Sequence, residues 1–516
     1  MISYCIFVLI VYILLLFSYY TITMSNLQQR QEKIQAKRKQ TSFRDFVRDV
    51  ASHFPVNLYR NSSFISKYPN TDRVGTLVLA KDRNNYSIIS KDYSWNAFND
   101  MKRLLANSYL DSINYYGSNE NCDYSEAVYW AKNGYLSFSI GDNAENIFYS
   151  CFVRTNVTNV FDSFYIEKDS TNIYRSFFVQ SSFNIFFSKY ITDSRDIWFS
   201  TNMIWCTECI LCDNLQNQSY CIKNQFFSKE EYFVKKKELL ESNKLNFEWL
   251  YITLHNAINK EVQNCSGEGI YKCSHIENWY LVRNMTDSRN IICGTGWYTW
   301  SSHIYDGIDV WLDTHHMYGT GMAGTNSEHL YCCSWVTRCS HLFYSYHMES
   351  CSFCLGCIWL KNKSYCILNK QYTKEEWYIK VDEIFAQMEK DWQLWEFFPA
   401  TMNPFYFNDT AAYLIDPSFT KEEVTKLWYL RRDEPIKVDI PEGAVTVKSS
   451  ELGQFESSDE QWNWKLDETV CKRVIIDEDG DAYRIIPMEL EFLQQHGLPL
   501  PRKHWLTRMK ENFRIS

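Results

Sequence analysis

The stretch TNVFDSFYIEKDSTNIYRSFFV, residues 158–179, contains the same short phrase twice. A Thr-Asn-aliphatic-aromatic-x-Ser phrase begins at Thr158 and returns at Thr171, thirteen residues later. A fixed short period is the sequence signature of a repeat architecture.

The phrase extends into a set of repeats with steps of 12 or 13 residues. Each repeat has an aliphatic or aromatic position, a polar residue one place before it and a small residue three places after it. The apolar positions are Tyr135, Ile147, Val160, Ile173, Ile185, Ile197 and Cys209. The recurring Asn are Asn146, Asn159, Asn172 and Asn184, and the recurring Ser are Ser150, Ser163, Ser176, Ser188 and Ser200.

A second set of repeats is a copy of the first. Its apolar positions are Trp279, Ile291, Ile304, Met317, Leu330, Leu342 and Cys354. SYCIKNQFFSKEEYF at Ser219 corresponds to SYCILNKQYTKEEWY at Ser364, 145 residues later. The chain therefore contains an internal duplication.

Short repeats that cannot bury their own apolar face must stack on one another. The pattern predicts a mainly β protein, a duplicated parallel β-solenoid with helical inserts, in which the Asn and Ser form structural ladders. We expect two repeats to form one turn around an aromatic core, and a narrow turn of one repeat is the alternative.

The N-terminus predicts a membrane anchor. Residues 2–24 carry no charge and are long enough to cross a bilayer as a helix. Basic residues follow from Arg30 to Arg44, which predicts a single-pass protein with its bulk on the cytoplasmic side. The mitochondrial inner membrane, facing the matrix, is the alternative location.

The full organisation predicted is as follows: a transmembrane helix at 1–24, a basic helical stalk and lead-in at 25–94, a first solenoid at 95–227, a helical linker at 228–277, a second solenoid at 278–372, a helical segment at 373–436 and a small α/β tail at 437–516. The net charge of -9 leaves no global basic field, so nucleic acid is not an indicated partner. The predicted partners are the membrane and the proteins of a membrane complex.

Cysteines close each copy with the same spacing. The first triplet is Cys206, Cys209 and Cys212, and the second is Cys351, Cys354 and Cys357. The spacing begins like an iron–sulfur ligand run but lacks its fourth member, and zinc needs four ligands. Two of three positions in each triplet fall in solenoid columns, where a buried thiol acts as a small apolar residue. Structural thiols are favoured, and zinc is the possible cofactor.

Histidines replace the Asn column in the second copy, at His303, His316, His329 and His341. With two repeats per turn they would form two columns, His303 over His329 and His316 over His341. Stacked imidazoles bind metals or titrate near neutral pH. Alternatively, they continue the ladder as Asn does, because both side chains donate and accept hydrogen bonds.

Three long segments resemble a family of uncharacterised Cys-rich proteins common in candidate-phyla-radiation bacteria. They are CSFCLGCIWLKNKSYCILNKQYTKEEW (351–377), WEFFPATMNPFYFNDTAAYLIDPSFTKEE (395–423) and YRIIPMELEFLQQHGLPLPRKHWLTRM (483–509). The resemblance covers most of 95–516 and brings no activity. It implies zinc ribbons at the chain ends, yet here the membrane anchor stands in place of the first. The tail resembles a degenerate ribbon that keeps only Cys471.

These observations favour a non-enzymatic role, with no predicted catalytic residue. The predicted function is a membrane-anchored scaffold or complex subunit that presents a rigid solenoid to partner proteins. One alternative is a metal-binding protein, using zinc or an iron–sulfur cluster. Another is a carbohydrate-active β-helix protein, with Asp306, Asp309 and Asp313 as the acidic cluster.

Overall fold

The computed structural model describes residues 24, 26–54, 77–79, 92, 96–106, 110–113, 115–122, 124–243, 247, 260–263, 267–268, 271–274, 279–280, 285–289, 291, 301–305, 307–308, 310, 313–321, 324–394, 396–403, 405–432, 440, 442–458 and 464–513. Its main feature is a parallel β-solenoid of about 15 turns with helical inserts, so the predicted repeat architecture is confirmed.

One repeat makes one turn of the solenoid. Val160 pairs in register with Ile173, and Ile185 pairs with Ile197 in the same sheet. The expected turn of two repeats was therefore wrong, and the narrow alternative is correct. The register also places Gly134, not Tyr135, beside Ile147, so the first aliphatic position was misplaced by one residue.

The narrow turn is possible because the backbone turns a corner every third residue. In the turn from Asn146 to Asn159, the residues Tyr149, Phe152 and Thr155 also have positive φ values, between 52° and 67°. Each such corner precedes a residue that points into the interior. Four corners close a turn in 12 residues, and turns of 13 residues have a doubled corner, as at Thr155 and Asn156. Left-handed backbone is costly for most L-residues and least so for Asn and Asp, which explains their place in one corner column.

The strands of the first copy form one 16-stranded sheet. They are β3 (Tyr115–Tyr116), β4 (Glu126–Tyr135), β5 (Phe138–Phe148), β6 (Cys151–Arg154), β7 (Thr158–Phe161), β8 (Phe164–Glu167), β9 (Thr171–Tyr174), β10 (Phe177–Gln180), β11 (Phe183–Phe186), β12 (Lys189–Thr192), β13 (Arg195–Trp198), β14 (Thr201–Ile204), β15 (Thr207–Ile210), β16 (Asp213–Gln216), β17 (Ser219–Ile222) and β18 (Gln225–Phe226). Ahead of them, β1 (Leu77–Leu79) pairs with β2 (Leu110–Ile113).

The second copy is built in the same way, with a 10-stranded sheet and two small sheets. It begins at Lys260, so the predicted boundary at 277–278 between a helical linker and the second solenoid was wrong. Its strands are β19 (Lys260–Gln263), β20 (Gly267–Glu268), β21 (Tyr271–Ser274), β22 (Trp279–Tyr280), β23 (Met285–Thr286), β24 (Ser301–Ser302), β25 (Thr314–Tyr318), β26 (Ser327–Tyr331), β27 (Ser334–Thr337), β28 (Ser340–Phe343), β29 (Tyr346–Glu349), β30 (Ser352–Leu355), β31 (Ser364–Ile367) and β32 (Lys370–Gln371). The tail contains β33 (Thr446–Lys448), β34 (Glu456–Ser458), β35 (Trp464–Leu466), β36 (Val474–Ile476) and β37 (Ala482–Tyr483).

Helices cover the solenoid from outside. They are α1 (26–38), α2 (Phe43–Asp49), α3 (Ala97–Ala106), α4 (Lys229–Asn243), α5 (Lys374–Lys390), α6 (Ala411–Ile415), α7 (Lys421–Lys426), α8 (Pro487–His496) and α9 (Trp505–Phe513). Short 3-10 helices are Ala51–His53, Ala400–Met402, Phe407–Asp409, Ser449–Phe455 and Glu468–Lys472. Thr373 caps α5 in a complete capping box with Glu376.

The predicted fold class requires one correction, because it included a transmembrane helix. Within the ranges given above, no helix is both long and apolar enough to cross a bilayer. Residues 1–23, on which that prediction rested, lie outside the described residues, as does most of the lead-in from 55 to 95. The fold class that the structure supports is a β-solenoid with helical inserts.

Two apolar layers hold the solenoid together. The interior layer consists of stacked aliphatic side chains such as Ile147, Val160 and Ile173, each 0% exposed. The outer layer is aromatic and packs against helices, as where Phe492 of α8 lies 4.4 Å, ring to ring, from Phe161. Burial of aliphatic and aromatic surface on both sides of one backbone layer supplies the main stabilisation.

Candidate functional site

The Asn column of the first copy is a continuous chain of side-chain hydrogen bonds. Each amide nitrogen donates to the next carbonyl oxygen, from Asn146 to Asn159 at 2.9 Å and from Asn159 to Asn172 at 3.0 Å. The chain begins at Asn121, runs on through Asn184 and ends with Asp196 accepting at 2.7 Å. These residues serve the fold, since each satisfies its neighbour's polar groups.

The Ser column lies inside the turns and is also structural. Ser163 donates from its hydroxyl to the carbonyl oxygen of Phe161 at 2.8 Å, and its backbone N–H donates to the Ser150 hydroxyl at 3.0 Å. Ser176, Ser188 and Ser200 repeat this pattern. Each hydroxyl therefore satisfies backbone groups that the tight corners remove from the strand ladder.

The four histidines form a single stack, so the two expected columns were wrong. The ring centroids of His303 and His316 are 4.8 Å apart, those of His316 and His329 are 4.5 Å apart, and those of His329 and His341 are 4.6 Å apart. Phe353 continues the stack beyond His341. The single column follows from one repeat per turn, which places every histidine at the same corner.

The stack geometry does not suit a metal shared between neighbouring rings. A metal bound to an imidazole nitrogen lies near the ring plane, at about 2.1 Å for zinc. The planes of His316 and His329 are within 2° of parallel. An ion between two such parallel rings would lie out of both ring planes, away from the direction of the nitrogen lone pairs.

Burial favours the neutral form of three of the stacked imidazoles. It lowers the pKa values of His316, His329 and His341, and for His316 and His329 the charge of neighbouring histidines lowers them further. Glu328 acts in the opposite direction on all three. The histidines do not continue the hydrogen-bonded ladder as Asn does, because the rings stack face to face and the buried Nδ1 atoms of His303 and His341 have no hydrogen-bond partner.

The Cys triplets lie inside the last turns of each copy. Cys206, Cys209 and Cys212 are buried, and each thiol donates to a carbonyl two residues earlier, as the Ser hydroxyls do. Cys351, Cys354 and Cys357 do the same in the second copy. The repeat spacing in the sequence therefore predicted correctly which columns of the solenoid these cysteines occupy.

The thiols in each cluster also interact with one another. Hydrogen bonding with Cys209 lowers the pKa of Cys206 to about 7, and hydrogen bonding with Cys206 raises the pKa of Cys209. Cys221, stacked on Cys209 in the next turn, joins this cluster. Among the residues the structure describes, no group of three or more His, Cys, Asp or Glu is arranged to hold a metal ion. The zinc prediction stays a prediction.

The proposed acidic cluster is not assembled by the described part of the chain. Asp306 and Asp309 lie outside the described residues. Asp313 is 3.3 Å from the Nε2 atom of His315, whose Nδ1 atom contacts the Ser302 hydroxyl at 2.9 Å.

Sequence reasoning missed a buried ion cluster that fixes the tail to the first copy. Arg508 of α9, 2% exposed, pairs with Asp162 at a solenoid corner and with Glu489 of α8 at 3.2 Å. Arg508 and Asp162 are 346 residues apart, so no local spacing could have indicated the contact.

The open corner of the first copy carries two exposed tryptophans. We use this name for the corner column Trp130, Asn143, Asn156, Asp169, Ser181, Asp193, Trp205 and Asn217. Trp130 and Trp205, each 55% exposed, stand six turns apart. Between them, Asn143 donates to Asn156 at 3.1 Å, and Asn156 donates to Asp169 at 3.0 Å.

Comparison with known proteins identifies no family. No protein-family model and no curated protein matches the chain. A solved structure of a protein named as a candidate acetyltransferase from Desulfovibrio desulfuricans G20 is 11% identical, over 48% of this chain and 68% of that one, with a TM-score of 0.11. A likeness at that score supports no statement about function.

Proposed function

We propose that the protein is a non-enzymatic scaffold or complex subunit that presents the open corner to a partner protein. The observation behind the proposal is the pair of exposed tryptophans, Trp130 and Trp205, on one rigid column. Tryptophan is among the residues most enriched at the energetic centres of protein interfaces. Six turns at the strand spacing of about 4.8 Å separate the two anchors by about 29 Å.

The solenoid interior makes the open corner a firm support for such a surface. Its aliphatic columns are closed, with Val153, Ile166 and Val179 all 0% exposed. Backbone hydrogen bonds between successive turns continue along the open corner as far as Trp205, whose N–H donates to the Thr192 carbonyl, and they hold the column in place without a partner. A preorganised surface loses little entropy on binding.

The experiment is purification of the full chain from its native source and identification of the protein that accompanies it in stoichiometric amount. The affinity of that protein for the full chain is then measured by titration. Trp130→Ala and Trp205→Ala should each weaken that complex at least tenfold. Trp392→Ala is the matched control, because Trp392 is 75% exposed but lies at the end of α5.

Retention of the partner by both open-corner variants would contradict the proposal. The alternative function, metal binding through the Cys triplets, is decided on the same preparation by metal analysis. Stoichiometric zinc or iron that is lost in a Cys209→Ser variant would favour it over the scaffold.

A further inference from the structure

A small apolar slot lies between the second solenoid copy and the segments that cover it. Its walls include Met101 of α3, Tyr344 of the solenoid, and Phe397, Phe398 and Met402 of the segment after α5. Its volume is about 50 Å³. That is about a third of the roughly 150 Å³ in which an apolar cavity holds a benzene ring, so the slot alone has room for only a few heavy atoms.

His53 provides a polar group in this apolar slot. Its Nδ1 atom lies 2.8 Å from the carbonyl oxygen of Asp49. Because a carbonyl only accepts, Nδ1 must carry the proton of the neutral ring, and Nε2 is left with a lone pair. Burial lowers the pKa of His53 to about 4, so the ring is neutral at physiological pH.

The Nε2 atom of His53 is buried and has no hydrogen-bond partner. The walls around it are mainly apolar, and the ring of Phe397 packs edge-on at 5.3 Å from the imidazole. The other hydroxyl-bearing residues of the lining are Ser334, Tyr344 and Tyr346, and the Tyr344 hydroxyl already donates to the carbonyl oxygen of Leu394. An unsatisfied buried acceptor is costly, so the site favours an occupant that donates one hydrogen bond.

We propose that the slot binds the donor end of a small, neutral, apolar molecule with one O–H or N–H group, of the size of a phenol, and that the rest of the molecule extends into an adjoining cleft. This inference is independent of the scaffold function. The adjoining cleft, of about 530 Å³, shares Phe397, Phe398 and Met402 with the slot. Lys102 and Gln393 line that cleft, and the buried Oε1 atom of Gln393 also has no partner, so there is room for a polar extension of the ligand.

The experiment compares p-cresol with toluene, which has the same shape but no donor, by calorimetry or ligand-observed NMR on the full chain. The expected result is binding of p-cresol at least fivefold tighter than toluene. Binding of neither compound, or equal binding of both, would overturn the proposal without any mutation being needed.

Two variants locate the site. His53→Phe keeps an aromatic ring but removes the acceptor, so p-cresol should lose its advantage and bind no better than toluene. Met402→Trp fills the slot and should abolish binding of both compounds. A preference for p-cresol that survives in His53→Phe would place the donor contact elsewhere and refute the assignment.

Discussion

At the scale of single residues, the fold depends on positions that tolerate left-handed backbone. The Asn column was evident from the sequence because Asn recurs at a fixed place in each repeat. The other corners were not evident, because residues as different as Tyr149, Phe152 and Thr155 occupy them. Their conformation is imposed by the hydrogen-bond ladder between turns, which is a tertiary effect that overrides local preference.

The ladder residue Asn159 provides a direct test. Asn159→Leu should destabilise the protein by about 2–3 kcal/mol, since it removes two side-chain hydrogen bonds and places a branched side chain at φ 57°. Asn159→Gly loses the same bonds but accepts the backbone conformation, so it should cost about 1–2 kcal/mol less than Leu. Chemical denaturation measures both, and equal losses would show that the corner conformation carries no cost.

The histidine stack predicts a dependence of stability on pH. The folded-state pKa values of His316, His329 and His341 are below the unfolded value of 6.5, so the unfolded chain binds protons first as the pH falls. The contribution of these three histidines to the free energy of unfolding should therefore be constant above about pH 7 and decrease below about pH 6.5.

Replacement of the three histidines by Asn, the residue of the other copy, should reduce that decrease. His53, His496 and His504 also have pKa values lowered to about 4 by burial, so a smaller slope should remain. Denaturation curves at pH 5.5 and 7.5 provide the comparison. An unchanged pH dependence in the triple variant would mean that the stack does not titrate on unfolding.

At the scale of elements, the duplicated helices α4 and α5 show how the copies have diverged. Arg30 of α1 pairs with Asp382 of α5, and Lys33 pairs with Glu389. The corresponding residues of the first copy, 145 positions earlier, are Lys237 and Lys244. The charges are reversed, so α1 is electrostatically matched to α5 and not to α4.

Introducing the residue of the first copy should therefore detach α1. Asp382→Lys places two cations together in a contact whose partners are only 12% and 17% exposed, and we expect a loss of about 2–4 kcal/mol in docking. Limited proteolysis near residue 39 reports on that docking. Glu383→Lys, a substitution at an exposed neighbouring position, is the control. Equal protection of the two variants from the protease would contradict the docking of α1 through Asp382.

The contact between α9 and the solenoid allows a second test at this scale. Arg508→Met leaves Asp162 and Glu489 buried without their cation, which should cost about 3–5 kcal/mol. Burial already raises the pKa of Glu489 to about 7, and loss of Arg508 should raise it further. Arg484→Met, at an exposed position of the tail, should leave the free energy of unfolding nearly unchanged.

At the scale of the molecule, the sequence predicted the period, the duplication and the columns, because these are one-dimensional properties of the chain. The number of residues per turn was predicted wrongly, because large aromatic residues suggested a wide core. Phe148, Phe161 and Tyr174 lie instead on the outside, beneath helices from the distant tail. The same distance in sequence concealed the His53 slot and the Arg508 cluster.

A solenoid with one repeat per turn should accept an additional turn. Duplication of the twelve residues 195–206 directly after Cys206 continues every interior column, since residues 197 and 209 are already in register. The variant should keep a cooperative unfolding transition and gain β content in circular dichroism, because each turn is stabilised mainly by its neighbours.

A ten-residue insertion is the control. It supplies too few residues for the four three-residue sides of a turn, and it moves aliphatic side chains out of the interior. We expect this insertion to lower the free energy of unfolding by several times RT, where RT is about 0.6 kcal/mol, or to prevent folding. Equal stability of the two variants would exclude a turn of twelve residues as the unit of this fold.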